Sequence, residues 1–198
     1  SSCTAGTLTA ATCSLKPCDA SIPPANGGVG DCPSSLASGS SCQPTCNSGY
    51  TLLGTFSCYA GSLTAAICSG NPCDASAPPT NGGVGDCLNS LASGSTCQPT
   101  CNPGYTVSGT SSCNAGTLTA ATCSANPCDA STPPTNGGVG DCAGTLTSGS
   151  TCQPTCDAGY TVSGSSSCNM GTLTAATCSP TICGGNQYVS SNACTACP

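Results

Sequence analysis

The cysteines of this chain recur with a fixed period, and that period constrains the fold more than any other feature of the sequence. The segment CDASIPPANGGVGDC at Cys18 returns as CDASAPPTNGGVGDC at Cys73 and as CDASTPPTNGGVGDC at Cys128. Each return comes about 55 residues after the last, a spacing typical of tandem modules. The sequence therefore predicts three complete repeats, which are repeat 1 (18–72), repeat 2 (73–127) and repeat 3 (128–182).

The sequence indicates that both ends of the chain lie inside other modules. Cys3 and Cys13 occupy the last two cysteine positions of the period, so residues 1–17 are interpreted as the C-terminal part of a truncated repeat. At Cys183 the period breaks into CGGNQYVSSNACTACP, and residues 183–198 resemble the start of a growth-factor-receptor or ephrin-receptor-like module. Partners beyond both ends then explain the odd total of 23 cysteines. A free reactive thiol is the alternative explanation.

The cysteine content also indicates the compartment. With 23 cysteines in 198 residues, the chain exceeds the fraction that marks secreted disulfide scaffolds. A zinc protein is the competing interpretation, but zinc modules usually recruit histidine, and this chain has none. We therefore expect a secreted, extracellular protein.

Charged side chains are almost absent, with a single Lys or Arg against seven acidic residues. Phosphate contacts need Lys or Arg, so the sequence excludes nucleic-acid binding. No apolar stretch is long enough to span a bilayer, which predicts no membrane insertion in this segment. The chain is instead rich in Ser and Thr, and such a composition favours O-linked glycans as the solubilising layer.

Repeat 2 illustrates the expected secondary structure. Tyr105, Val107, Leu118 and Thr119 lie between glycines and favour short strands joined by tight turns. Asn81-Gly82 is a strong turn signal, and no window has the apolar stripe of a helix. The larger apolar side chains expected in its small core are Val84, Leu88, Leu91, Tyr105, Val107 and Leu118. The sequence predicts a small all-β, disulfide-rich fold that depends on its disulfides.

These residues resemble the sushi family, also called complement control protein modules. The match in repeat 2 runs through Cys73, Asn81-Gly82, Cys101, Gly104-Tyr105, Gly109, Cys113, Gly116 and Cys123, and it recurs in all three repeats. Leucine replaces the family's usual tryptophan, at Leu8, Leu63, Leu118 and Leu173, and each repeat has two additional cysteines. The resemblance implies tandem modules in an extended rod, as in surface or matrix proteins of algae and protists.

The resemblance also implies a disulfide connectivity, first to third and second to fourth, with the additional pair closing a short loop. Spacing alone leaves 15 pairings open for six cysteines. The implied pairs are Cys18–Cys58, Cys46–Cys68, Cys32–Cys42, Cys73–Cys113, Cys101–Cys123, Cys87–Cys97, Cys128–Cys168, Cys156–Cys178 and Cys142–Cys152.

No set of residues in the sequence is suited to catalysis. The chain has no His and no Glu, so an activated nucleophile or an acid–base pair is not expected, and we predict that the protein is not an enzyme. The paired aspartates of a repeat, such as Asp74 and Asp86, could contribute to a calcium site. The alternative is that they accept hydrogen bonds from backbone N–H groups in turns. No metal or other cofactor is predicted.

Each repeat carries a Pro-Pro segment flanked by hydroxyl side chains, which resembles the hydroxyproline-glycosylation sites of algal wall proteins. Simple loop residues are the alternative interpretation. The candidate glycosylation sites are Ser21, Pro23, Pro24, Ser76, Pro78, Pro79, Thr80, Ser131, Thr132, Pro133, Pro134 and Thr135.

Two hypotheses for function follow, and they belong to different classes. Near-identical repeats present the same surface again and again, which favours self-association into a glycoprotein fibril, flagellar hair, sheath or wall. The alternative is an adhesion or binding ectodomain, as sushi modules often form, and a passive spacer stalk is a third possibility. The scarcity of Trp, Tyr and Arg, which dominate binding hot spots, favours the structural hypothesis.

Overall fold

The protein is all-β, as the sequence predicts. The computed structural model describes the backbone of residues 2–4 and 7–9 and all atoms of residues 13–142 and 144–198. Every regular element in this part of the chain is a short β-strand. The described residues contain no helix that is long and apolar enough to cross a membrane. The predicted fold class, small all-β and disulfide-rich, is confirmed.

The strands of the described residues are two to four residues long, because glycine, proline and polar turn residues interrupt the chain at short intervals. They are β1 (Ser2–Thr4), β2 (Thr7–Thr9), β3 (Gly27–Gly28), β4 (Ser41–Cys42), β5 (Thr45–Cys46), β6 (Tyr50–Leu53), β7 (Phe56–Tyr59), β8 (Ser62–Thr64), β9 (Ile67–Gly70), β10 (Gly82–Gly83), β11 (Thr96–Cys97), β12 (Thr100–Cys101), β13 (Tyr105–Val107), β14 (Ser111–Asn114), β15 (Thr117–Thr119), β16 (Cys123–Ala125), β17 (Cys128–Asp129), β18 (Gly137–Gly138), β19 (Thr145–Leu146), β20 (Thr151–Cys152), β21 (Thr155–Cys156), β22 (Tyr160–Val162), β23 (Ser166–Asn169), β24 (Thr172–Thr174), β25 (Cys178–Pro180), β26 (Gln187–Ser190) and β27 (Ala193–Ala196).

The chain divides into two compact units. Unit 1 consists of Ser1–Ser76, Leu88–Cys97 and Ser111–Thr119, and unit 2 consists of Ala77–Cys87, Gln98–Thr110 and Ala120–Pro198. In unit 1, the antiparallel pairs β3–β5 and β6–β9 accompany a three-stranded sheet of order β4-β7-β8. Unit 1 also contains the pair β1–β2 and the sheet β11-β14-β15.

Unit 2 repeats the same small sheets. It contains the pairs β18–β21 and β22–β25 and the three-stranded sheet β20-β23-β24. These strands lie at the same positions of the period as the strands of repeat 1 and pair in the same order. The pairs β10–β12, β13–β16 and β17–β19 also lie in this unit. A separate hairpin, β26–β27, pairs Gln187 with Ala196 at the C-terminal end.

Tight turns join the strands where the sequence predicts them. In repeat 2 the Gly82 N–H donates to the Pro79 carbonyl at 3.0 Å, and Asn81 has a φ of 62°. A positive φ at the third residue of a turn is the type II geometry, which asparagine tolerates well. The hairpin β7–β8 turns through Ala60 and Gly61, both at positive φ, as a two-residue type I′ turn requires. The predicted turns are therefore confirmed.

Half-cystines and alanines supply most of the core. In repeat 1 the buried cluster contains Cys18, Ala20, Cys32, Leu36, Cys42, Phe56, Cys58 and Ala66. In repeat 3 it contains Ala130, Cys142 and Cys152. The leucines at the tryptophan positions pack against these clusters, Leu63 in repeat 1 and Leu173 in repeat 3. The side chain of Leu8 lies outside the described residues.

The apolar core expected for repeat 2 is partly wrong. Leu88 is 68% exposed and Val84 is 37% exposed. Leu91, Tyr105, Val107 and Leu118 are only half-buried, whereas Ala75, Cys73 and Cys113 are buried. In repeat 2 half-cystines and alanine therefore occupy the buried positions, and the larger apolar side chains lie partly or largely at the surface.

Candidate functional site

The disulfides set the geometry of each repeat. Cys18–Cys58, Cys46–Cys68 and Cys32–Cys42 are bonded in repeat 1, with sequence separations of 40, 22 and 10. The same separations recur in Cys128–Cys168, Cys156–Cys178 and Cys142–Cys152 of repeat 3. Repeat 2 has Cys73–Cys113 and Cys101–Cys123, and its Cys87 and Cys97 are also disulfide-bonded. The eight pairs named here by both members are among those that the sushi resemblance implies.

One disulfide lies outside the pairs expected from the sequence. Cys183 is bonded to Cys194, with a separation of 11 residues. The sequence contained a signal for this disulfide, namely the turn-forming pair Ser191-Asn192. These two residues form the turn that brings β27 back beside β26. Within the described residues, Cys13 and Cys197 are the cysteines outside any disulfide, and both are exposed.

The second aspartate of each repeat supports the backbone beside the short disulfide loop. The Gln43 N–H donates to the Asp31 carboxylate at 2.6 Å, and the Asp31 N–H donates to the Gln43 carbonyl at 3.2 Å. Asp86 with Gln98, and Asp141 with Gln153, form the same two hydrogen bonds. These aspartates therefore act as acceptors for backbone N–H groups.

Among the described residues, three groups of residue types that could bind a metal contain the second aspartate of a repeat and two cysteines. In repeat 1 the structure brings the Asp31 carboxylate close to Cys32 and Cys42, and in repeat 3 it brings Asp141 close to the equivalent cysteines. Both cysteines of each group are in a disulfide, so neither sulfur is a thiolate ligand. Calcium needs six or more oxygen ligands, and these groups offer one carboxylate each.

The first aspartate of each repeat forms a turn with the serine two residues later. The Ser76 N–H and hydroxyl donate to Asp74 Oδ1 at 2.9 and 2.6 Å, and Asp19 accepts the same bonds from Ser21. The hydroxyl bond, followed by the amide bond, holds the pKa of the Asp74 carboxyl below its ordinary value of 3.8 against a small opposing effect of burial. The carboxylates therefore serve as turn acceptors.

We expect Ser76→Ala to raise the pKa of Asp74, because the variant removes the hydroxyl bond that contributes most to the lowered value. A lowered pKa stabilises the fold above the unfolded value of about 4, and this contribution is lost as the pH falls through the folded value. The turn of the variant should thus loosen at a higher pH than that of the wild type. NMR titration of the Asp74 carboxyl carbon measures both, with Ser90→Ala as the control. An unchanged Asp74 midpoint in Ser76→Ala would contradict this assignment.

The Pro-Pro segments lie at the surface, and the structure separates their residues into two environments. Pro23, Pro78 and Pro133 are exposed, as are Thr80, Thr132 and Thr135. Pro24, Pro79 and Pro134 are half-buried beside the glycine turn, where Pro24 Cγ lies 3.0 Å from the position that a Cβ on Gly27 would take. Ser21, Ser76 and Ser131 are exposed, but the first two hydroxyls donate to an aspartate.

Within unit 1, the end of repeat 1 contacts a turn of repeat 2 through Asn71. The Asn71 N–H donates to the Gly49 carbonyl at 2.8 Å, and Thr51 Oγ1 donates to Asn71 Oδ1 at 2.6 Å. The Asn71 carbonyl in turn accepts the Gly116 N–H at 2.8 Å. A single asparagine therefore bonds to both repeats, and we call this contact the Asn71 junction.

Unit 2 contains an equivalent contact, in which Asn126 takes the place of Asn71. The Asn126 N–H donates to the Gly104 carbonyl at 2.8 Å, and Thr106 Oγ1 donates to Asn126 Oδ1 at 2.6 Å. A Cβ on Gly104 would lie 2.7 Å from Met170 Cβ, and one on Gly171 would lie 3.1 Å from Asn126 Cβ. Both contacts between successive repeats thus depend on glycine at closely packed positions.

We expect Gly49→Ala to disrupt the Asn71 junction, because the added Cβ would lie 2.3 Å from the Ala115 carbonyl oxygen. Gly39→Ala is a matched control, since Gly39 has φ 86° against 84° for Gly49 and no atom within 4 Å of its Cβ position. The control should cost only the left-handed backbone strain, about 1 kcal/mol. Gly49→Ala should cost more and should also speed hydrogen exchange at the Gly116 N–H. Equal effects of the two variants on stability and on exchange would show that the contact is not packed in this way.

An open groove runs beside strand β22 in unit 2. Its volume is about 480 Å³, and its lining includes Gln153, Pro154, Tyr160, Thr161 and Asn192. Asn192 belongs to the C-terminal hairpin, and its Oδ1 accepts the Gly159 N–H at 2.8 Å. The groove offers an aromatic side chain together with hydroxyl and amide groups.

Comparisons with known proteins give one informative similarity. No family model matches the chain. E-selectin of Rattus norvegicus is 33% identical over 172 residues, a match that covers 78% of this chain and 31% of E-selectin. The chain therefore spans about a third of the length of that relative. The aligned length exceeds two of the 55-residue periods, so the similarity extends over successive repeats. Together with the disulfides, it indicates an extracellular or cell-surface domain.

Proposed function

We propose that this chain is part of an extracellular adhesion or binding ectodomain built from sushi-like modules. The modules are repeats 1 to 3, flanked by the end of another repeat at 1–17 and the start of a different Cys-rich module at 183–198. The observation that supports this proposal most strongly is the similarity to E-selectin across more than two periods. The disulfide pairs of each repeat, which follow the sushi order, agree with it.

The contacts between successive repeats are consistent with this role. A binding ectodomain must hold its surfaces in a defined arrangement, and the Asn71 junction bonds repeat 1 to repeat 2 inside unit 1. The equivalent contact at Asn126 lies inside unit 2. The groove beside β22 is the first surface that we would test, because Tyr160 and the neighbouring amide and hydroxyl groups suit a carbohydrate or polar peptide partner.

O-linked glycans are the second part of the proposal. The exposed hydroxyls of Thr80, Thr132 and Thr135 stand beside extended Pro-Pro segments, and the chain has too few charged residues to be kept in solution by charge. Ser21 and Ser76 are weaker candidates, since a glycan on either would remove the hydroxyl donor to aspartate. Intact-mass measurement of native material tests this, and a mass equal to that of the bare polypeptide would overturn it.

The adhesion proposal is tested by presenting the immobilised chain to arrays of glycans and to intact cells. The control is the same chain after reduction and alkylation, which keeps the sequence but removes the disulfides. Binding by the oxidised chain alone is the expected result, and Tyr160→Ala should weaken it while Tyr188→Ala, on the C-terminal hairpin, should not. No binding to any glycan or cell would overturn the proposal.

The filament hypothesis makes a different prediction for the same material. Helical filaments in negative stain of the native protein would favour a structural subunit, whereas dispersed molecules would favour the ectodomain. The filament hypothesis depends on the repetition of the same surface along the chain. The similarity to E-selectin favours the adhesion hypothesis instead.

A further inference from the structure

One position of the period differs between the repeats in a way that changes their interiors. Phe56 of repeat 1 corresponds to Ser111 in repeat 2 and to Ser166 in repeat 3. Phe56, the single phenylalanine of the chain, is 2% exposed. It belongs to the buried cluster that contains Ala20, Cys32 and Ala66, with Leu63 packed against it. The aromatic ring therefore lies in the buried core of repeat 1.

The same location in repeat 3 is a hollow. A cavity of about 160 Å³ lies beside Ser166. Its walls include Ala130, Cys142, Leu173 and Ala176. These are the equivalents in the period of Ala20, Cys32, Leu63 and Ala66, which belong to the cluster of Phe56 or pack against it. Repeat 3 thus keeps the walls of the phenylalanine site and lacks the ring.

The chemistry of these walls is apolar. Ser166 is 6% exposed, and its Oγ accepts the Ala176 N–H at 3.0 Å, so the hydroxyl oxygen is engaged at the edge of the cavity. Pro134, Pro154 and Val139 complete much of the remaining lining. An apolar cavity of about 150 Å³ is large enough to take up benzene, and water gains little there without polar partners.

We propose that the cavity of repeat 3 is a binding site for a phenyl ring. Repeat 1 supplies the argument for this occupant, because its own phenylalanine fills the equivalent space. Thr132 and Pro133 line the cavity and are also exposed, so a ligand can enter past them. The inference goes beyond the proposed function, since it concerns one repeat and requires neither adhesion nor glycans.

A phenyl ring can be supplied by either of two ligands, a small aromatic molecule or the phenylalanine side chain of a partner polypeptide. Benzyl alcohol represents the first source and N-acetyl-phenylalaninamide the second. If the first alone binds, the site takes free aromatic molecules. If both bind with similar affinity, the opening admits a peptide-borne side chain.

The test is NMR titration of the whole oxidised chain with each probe. We expect saturable shifts of the methyl groups of Ala130, Leu173 and Ala176, with little change in the corresponding residues of repeat 1. Ser166→Phe should abolish binding, weakening it at least tenfold, because the new ring would fill the cavity as Phe56 does. Ser165→Phe is the matched control, since Ser165 is exposed and does not line the cavity.

A second variant guards against a folding defect in Ser166→Phe. Ala176→Leu would fill the cavity from the opposite wall and should also abolish binding. The proposal is overturned if neither probe gives saturable shifts up to its solubility, or if the probes bind equally well when the cavity is filled. Either result leaves the adhesion assays unaffected, so failure of this inference is distinguishable from failure of the proposed function.

Discussion

Complete reduction of the disulfides is expected to unfold all three repeats under otherwise native conditions. In repeat 1, half of the buried cluster consists of cysteines in disulfides, and alanines supply much of the rest. Each closed loop, with separations of 40, 22 and 10 residues, contributes about 3 to 4 kcal/mol by loop-closure entropy. Loss of three such loops from a repeat exceeds the few kcal/mol of net stability expected of so small a module. Collapse of amide dispersion in an NMR spectrum recorded with a strong reductant measures the effect.

The order of reduction should follow the burial of the sulfurs, because thiol–disulfide exchange requires access to a sulfur atom. Cys194 is exposed, so Cys183–Cys194 should open first. Cys46–Cys68 and its equivalents are half-buried and should follow, whereas Cys18 and Cys58, at 4% and 3% exposed, should react last. Mass spectrometry of alkylated samples taken over time gives this order. Retention of native dispersion after full reduction would refute the dependence on disulfides.

Two double variants, each lacking one disulfide, separate the contribution of a disulfide inside a repeat from the general effect of losing any disulfide. Removing Cys18–Cys58 by two alanine substitutions should destabilise repeat 1 by about 2 to 5 kcal/mol. Removing Cys183–Cys194 in the same way should leave repeat 1 unchanged, because that bond closes a loop of 11 residues at the C-terminal hairpin. Hydrogen exchange at the Asn47 N–H, which donates to the Asn26 carbonyl at 2.8 Å, reports on repeat 1 in both variants.

The repeats, turns and short strands of this protein could be predicted from its sequence, because the 55-residue period shows where each repeat begins and where its cysteines lie. The turn at Asn81-Gly82 and the strands at Tyr105 and Leu118 follow from local signals, namely glycine, asparagine and β-forming side chains. The half-cystine positions follow from the period alone, whereas their pairing needed the sushi resemblance. Turn-forming residues, β-forming side chains and the repeat period can all be read from a sequence, and together they predict the small sheets.

The interior could not be predicted in the same way. Leu88 is apolar and was expected inside, yet it is 68% exposed, whereas the smaller Ala75 and the half-cystines Cys73 and Cys113 are buried. The Asn71 junction was not foreseen either, since Gly49 and Gly116 carry no pattern that shows which backbone will approach them. Such features depend on three-dimensional proximity of segments far apart in the chain.

Substitution of Phe56 is expected to be the most damaging change to the core of repeat 1. Phe56→Ser would give repeat 1 the residue that repeats 2 and 3 carry, and it would remove the ring from a cluster in which Phe56 is 2% exposed. Truncation of a buried phenylalanine costs about 3 to 5 kcal/mol. Denaturant unfolding followed by hydrogen exchange at the amides of β7 should show a loss of this size, confined to repeat 1.

Tyr59→Ser is the control for that experiment, because Tyr59 lies on the same strand β7 and is 76% exposed. It should change stability by less than about 0.5 kcal/mol. Benzyl alcohol should partly restore the stability of Phe56→Ser, because a ligand that binds only the folded state stabilises it and the cavity would then match the one beside Ser166. Equal losses for the two variants, or a loss in Phe56→Ser that spreads to every repeat, would show that the ring does not hold the core of repeat 1. The fold would then depend on its disulfides alone, even where a large apolar side chain is buried.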